Sequence, residues 1–320
     1  MKRFLSPALK VTISLALLAL VLRSVDAGRL RHDLARIELG RLALLLAVCW
    51  SGQLLCAQRW RLFAASLGMT GSYRSFVEMY FVGMLFNVGL PSLVGGDVVK
   101  AFVLSRKTAA PLGLGIASVL QDRAAGLISL VLYGSAAAAA SPLRWRGVPL
   151  GLIYAAAWVG IAAVLGVVWK GERLYGRWNL ARRDSLLSRG LSSAADFHRA
   201  LATMRLSRWD TAQVIGCSLV NSALVLWVFQ QVSTAAGHTV GFVSFTALCP
   251  LVTLATMLPI SLGGLGIREW AYIEALGVVG VPAQVALTIA LTSSALIIVF
   301  DLAGLLFLPT VPADLRQKAR

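Results

Sequence analysis

Two stretches decide how this chain is read: "LPSLVGGDVVKAF" at 90–102 and "LPISLGGLGIREW" at 258–270. Each runs Leu-Pro, three residues, Gly-Gly, three residues, then a base. The first supplies Leu90, Pro91, Gly95, Gly96 and Lys100; the second supplies Leu258, Pro259, Gly263, Gly264 and Arg268. Proline ends a helix because its ring clashes with the preceding turn and it has no N–H. Paired glycines let the backbone turn where a Cβ would not fit. Each stretch therefore predicts a break between two helical arms, set inside apolar sequence.

The surroundings of the two breaks are those of a membrane protein. The 320 residues are 58% hydrophobic and only 14% charged, against about half and a quarter in soluble domains. Apolar segments run over 8–23, 42–64, 73–90, 111–140, 149–169, 209–233, 241–258, 266–280 and 283–308. Most are long enough to cross a hydrocarbon core of about 30 Å, and none shows the short alternation of a β-barrel strand. The expected fold is an all-α polytopic membrane protein with six to eight transmembrane helices and two re-entrant or broken helical hairpins in an inverted repeat. The charged and apolar N-terminus lacks a small-residue cleavage site, so a retained first helix is expected rather than a signal peptide. A formal charge of +16 raises nucleic-acid binding, but the bases sit in loops between spans, as the positive-inside rule requires. No nucleic-acid partner is expected. The four cysteines (Cys49, Cys56, Cys217, Cys249) form no C-x-x-C pair, and the three histidines (His32, His198, His238) are scattered. Neither a metal site nor a cofactor is expected.

Sidedness follows from one basic stretch. Residues 170–208 carry nine bases against three acids, which places them in the cytoplasm. They divide the chain into a first half at 1–169 and a second at 209–320, and read either as an amphipathic helix on the anionic inner leaflet or as a solvated linker. Counting spans from this anchor puts both termini in the cytoplasm. The 73–108 stretch then begins and ends inside, flanked by Arg59, Arg61 and Arg74 before it and by Arg106 and Lys107 after it. The arm from Asp97 to Leu104 has eight residues before polar sequence resumes, about 12 Å of helix, too short to cross. The 241–280 stretch begins and ends outside; its second arm is longer, so a complete crossing pair is the competing reading there. Irregular backbone is tolerated at membrane depth only inside protein or beside water. Two opposed breaks thus predict an internal polar cavity, as in inverted-repeat transporters. The helix N-termini at the glycines favour an anion.

Ionisable residues inside spans usually face a protein interior. Here they are Glu78, Asp97, Lys100, Asp122, Arg123, Arg268, Glu269, Glu274 and Asp301. Lys100, Arg123 and Arg268 are candidates to neutralise a lipid phosphate, arginine through paired N–H bonds and lysine as a point charge. The structural alternative is that Lys100 pairs with Asp97, and Arg268 with Glu269, as buried salt bridges. Asp122 and Arg123 are adjacent and point about 100° apart on a helix, so they need not pair with each other. Asp122 and Asp301 are candidate proton or cation sites, with a helix-packing hydrogen bond as the alternative for Asp301.

The pieces "LPSLVGGDVVKAFVLSR", "SVLQDRAAGLISLVL" and "LPISLGGLGIREWAY" resemble those of the flippase-like transmembrane domain of lysylphosphatidylglycerol synthases and its stand-alone relatives. The resemblance implies a fold with two re-entrant elements and a lipid cavity, and makes Asp97, Lys100, Arg123, Arg268 and Glu269 the motif positions. In the synthases this domain moves an aminoacylated phospholipid between leaflets. The chain ends soon after its last span, where the synthases carry an aminoacyl-transfer domain, so a translocator without that chemistry is implied. Stand-alone relatives are associated with other lipids, including polyprenyl-phosphate sugars and hopanoids.

The expected function is an inner-membrane flippase or transporter of an anionic or phosphate-linked lipid in a bacterial cell, with membrane lipids as its ligands and no catalytic residues. Two alternatives stand beside it. One is a membrane-embedded transferase acting on a lipid-linked sugar, although no D-x-D or DDxxD motif is present to hold a diphosphate. The other is a non-catalytic partner of a glycosyltransferase or lipid-modifying enzyme.

Overall fold

A computed structural model of the chain describes residues 39–89, 95–178, 205–235, 238–257 and 266–310. The first expected span at 8–23, Ser92, most of the basic segment, and the turn residues Pro91, Pro259, Gly263 and Gly264 lie outside the described residues. Nine α-helices are described: α1 (Leu39–Ser66), α2 (Tyr73–Gly89), α3 (Gly95–Thr108), α4 (Leu112–Ala139), α5 (Leu150–Trp178), α6 (Arg208–Ala235), α7 (Phe242–Thr256), α8 (Ile267–Gly277) and α9 (Ala283–Leu302). A 3-10 segment, Ala303–Thr310, continues α9. The only described strands are Arg144–Trp145 and Val148–Pro149, paired antiparallel. Their two-residue turn has Arg146 at φ 49° and Gly147 at φ 83°, the left-handed pair that a tight hairpin turn needs. The expected all-α membrane class holds. Among the described residues, four helices are long and apolar enough to cross a membrane: α1, α4, α6, and α9 with its continuation to Leu308.

Both expected hairpins form, and both are short. Arms α2 and α3 have 17 and 14 residues, about 26 and 21 Å. Arm α3 is longer than its apolar run suggests, because the helix continues through Ser105, Arg106 and Lys107. Those two bases sit where the carbonyl end of the helix dipole favours cations, and Asp97 sits at the opposite end. The arms run antiparallel: Lys107 Nζ donates to Ser75 Oγ at 3.3 Å at one end, and the Gly96 N–H donates to Asn87 Oδ1 at 3.1 Å at the other. They touch backbone to backbone. A Cβ on Gly96 would collide with the Gly83 carbonyl, and one on Gly83 would collide with the Lys100 stem. Arms α7 and α8 have 15 and 11 residues, about 23 and 17 Å. Neither described arm is by itself long enough to cross a ~30 Å core.

The order of elements repeats in the two halves. Helix α1 corresponds to α6, the α2–α3 hairpin to α7–α8, and α4 to α9. Helices α1 and α6 pack along their lengths. They run antiparallel, since Arg41 meets Gln231 at one end and Gln58 meets Gln213 at the other. Each hairpin leans on the long helix of the opposite half: α7 on α4, and α2 on α9 and its 3-10 continuation. One apolar core gathers Leu226, Phe245, Leu248 and Tyr272 around α6–α8. A second gathers Trp60, Phe76, Tyr80 and Phe81 around α2. In it Trp60 meets Phe76 edge-on at 5.0 Å. Helix α5 stands outside this frame, packed on α4. It extends to Trp178, into the segment expected to be a linker.

Candidate functional site

The inner ends of both hairpins meet a cavity of about 710 Å³. Helix α1 gives it one face, with Val48, Gly52, Cys56 and Arg59 at steps of three and four residues. The first hairpin contributes Tyr80, Asn87 and Lys100; the second contributes Thr256, Met257 and Arg268. Arg123 and Asp122 enter from α4, and Ser294 and Asp301 from α9. The rest of the wall is largely apolar, from Leu224, Val225 and Phe229 on α6 and Ile297 and Phe300 on α9. Met257 and Ile298 line the cavity and are also 41% and 42% exposed.

The charges are cross-linked between helices. Asp97 accepts a two-pronged bond from Arg123, with Nε at 2.7 Å and Nη2 at 3.0 Å, and an ion pair from Lys100 Nζ at 2.8 Å. Lys100 is 2% exposed. Its ammonium also lies over the Tyr80 ring, 4.2 Å from the centroid, and 5.6 Å from that of Trp60. A carboxylate and two aromatic faces thus replace its hydration. Asp122 accepts from Arg59 Nε at 2.7 Å and from the Tyr80 hydroxyl at 3.2 Å. Arg59 Nη1 donates onward to Ser218 Oγ at 3.1 Å. Adjacent Asp122 and Arg123 therefore serve different partners, as their angular offset on the helix allows.

At the second hairpin Gly266 has φ 81°, a conformation that favours glycine. It turns the chain into α8. Glu269 caps that helix: its Oε2 accepts the Gly266 N–H at 2.5 Å, and its Oε1 accepts from Ser294 Oγ at 3.1 Å. Arg268 Nη1 donates to the same Ser294 hydroxyl at 3.1 Å. The contact between Arg268 and Glu269 thus runs through a serine of α9.

Of the expected site residues, Lys100, Arg123, Arg268, Asp122 and Asp301 line the cavity. Asp97 and Glu269 stand behind them as partners. Gly95 and Gly96 open α3. The alternative reading of a Lys100–Asp97 pair holds. Two expected interior charges are corrected: Glu78 pairs with Arg74 on the first turn of α2 at 3.0 Å, and Glu274 pairs with Arg146 of the strand turn at 3.0 Å. Both are at the open ends of their hairpins, where their partners are exposed. Arg59 is also corrected. It is no flanking base but lies 3% exposed within α1, because the helix continues to Ser66 and carries it inside. Its only signal was its place in the apolar segment 42–64 with no acid within a turn. Ser294 and Tyr80 carried no signal. Among the described residues, no three His, Cys, Asp or Glu side chains come together as a metal site would.

No curated protein and no solved structure matches the chain. A family model described as "Lysylphosphatidylglycerol synthase TM region" matches residues 8–304. The match covers nearly the whole chain, apolar helices and charged chamber included, and this chain belongs to the lysylphosphatidylglycerol synthase transmembrane-region family.

Proposed function

We propose that this protein is a flippase-type transporter that carries an anionic or phosphate-linked lipid across a bacterial inner membrane, with both termini cytoplasmic and no covalent chemistry. The observation that carries the reading is the make-up of the chamber. Arg59, Lys100, Arg123 and Arg268 converge on it from α1, α4 and both hairpins, while its wall elsewhere is largely apolar and includes the exposed Met257 and Ile298. A phosphate needs guanidinium and ammonium donors. Acyl chains need an apolar exit to the bilayer, so a single site with both features suits a lipid better than a soluble anion. Asp97 already fills the fork of Arg123. A headgroup phosphate reproduces that carboxylate's geometry and competes for the same N–H groups.

The test is reconstitution into liposomes with head-labelled phosphatidylglycerol. Protein-dependent movement of the label between leaflets, with no new product, supports transport. Conversion to a new product would favour the transferase reading, and neither outcome, with an enzyme co-purifying, the reading as a partner protein. Arg268→Ala should abolish movement while the protein still inserts; movement at the wild-type rate would remove Arg268 from the path.

A further inference from the structure

Among the described residues, the charges at the chamber balance. Four cations line it: Arg59, Lys100, Arg123 and Arg268. Four carboxyl groups line it or pair with a residue that does: Asp97, Asp122, Glu269 and Asp301. Three of the four carboxyl groups are engaged. Asp97 holds Lys100 and Arg123, Asp122 holds Arg59 and Tyr80, and Glu269 accepts from Gly266 and Ser294. Asp301 is different. It is buried on α9 and faces the cavity, and among the described residues it makes no hydrogen bond and no ion pair.

Its surroundings are charged all the same. Arg268 of α8 and Arg123 of α4 line the same chamber. Tyr272 of α8 and Tyr80 of α2 also line the chamber, as do Arg59, Cys49 and Cys56 of α1, Lys100 of α3 and Asp122 of α4. Helix α6 brings polar Asn221 and Ser222, and the 3-10 segment brings no titratable group.

We propose that Asp301 is a proton-binding site, loaded together with an anionic headgroup, so that this protein moves one proton with each anionic lipid. The inference rests on the lipid reading of the cavity. An anion entering a balanced chamber leaves it one negative charge in excess, in surroundings that solvate charge poorly. Asp97 and Asp122 are engaged in short bonds to cations, and Glu269 is fixed as a helix cap. Asp301 alone has no bond to lose on taking a proton. A second anion nearby raises its affinity for one, as when two carboxylates share a site. Water entering with the headgroup delivers the proton, and its release on the other side restores the empty, balanced state.

The experiment is calorimetric titration of the purified full-length protein in detergent near neutral pH. Dihexanoyl phosphatidylglycerol is the probe, in two buffers of different ionisation enthalpy, and dihexanoyl phosphatidylcholine is the zwitterionic control. The wild type should bind phosphatidylglycerol with uptake of about one proton per lipid. Asp301→Asn should show none, and any phosphatidylcholine bound should carry none. Binding of phosphatidylglycerol without proton uptake by the wild type overturns the inference and leaves the lipid site standing. Equal uptake by Asp301→Asn, or equal uptake with phosphatidylcholine, also overturns it. No binding of phosphatidylglycerol takes down the lipid reading and the inference together. The wild-type proton count decides the matter even if the variant fails to fold.

Discussion

The Arg59–Asp122 pair makes the sharpest energetic prediction. The two side chains are 4% and 1% exposed and 2.7 Å apart. At that distance their attraction is about 6 kcal/mol with an effective dielectric constant near 20. Most of it is offset by removing both ions from water, so the pair as a whole contributes little net stability. Breaking it is another matter, because one buried charge is left uncompensated, typically at about 3–5 kcal/mol. Both residues line the cavity, where water relieves part of that cost, so about 3 kcal/mol is expected for Arg59→Met or for Asp122→Asn. The double variant has no orphan charge. It should therefore lose only about 0–1 kcal/mol rather than the sum of about 6, a coupling of about 5 kcal/mol. Equilibrium unfolding in mixed micelles, run as a double-mutant cycle, measures this. Additive losses, or single losses below about 1 kcal/mol, would show that these charges do not depend on each other in the folded protein.

Three further changes test the frame around the site. Gly96→Val places a side chain against the Gly83 carbonyl; separating α2 from α3 should cost about 1–3 kcal/mol and slow lipid movement, read by unfolding and by the liposome assay. Gly266→Ala forces a Cβ into a left-handed conformation, φ 81°, at about 1–2 kcal/mol, and should weaken the Glu269 cap; unchanged stability would place that strain elsewhere. Tyr154→Phe removes the 2.8 Å bond from the Tyr154 hydroxyl to the Ala247 carbonyl, which ties α5 to α7; a loss of about 1 kcal/mol with lipid movement intact is expected, since Tyr154 does not line the cavity.

The hairpins were legible because proline and paired glycines act on the backbone locally. Their effect needs no knowledge of distant residues. The same is true of the pair Lys100–Asp97, three residues apart on one helix, and of the divergence between Asp122 and Arg123. What could not be read were partners supplied by another helix. Arg59 finds Asp122 63 residues later. Ser294 sits between Arg268 and Glu269 from 25 and 26 residues away, and a serine in an apolar helix looks like any other. The length of α3 was underestimated because polarity was taken as its end. A helix leaving the apolar region keeps its hydrogen bonds while its side chains turn to water, so Arg106 and Lys107 form the last turn of a helix that outlasts its apolar run.

The crossed seating of the hairpins, α7 upon α4 and α2 upon α9, ties each half's deepest element to its neighbour's scaffold. Neither half can shed its loop without uncovering the other's oily flank. Severing the polypeptide between α5 and α6 would consequently leave two fragments that hold together by mutual clasp, and each made alone would present a bare greasy seam to whatever met it first.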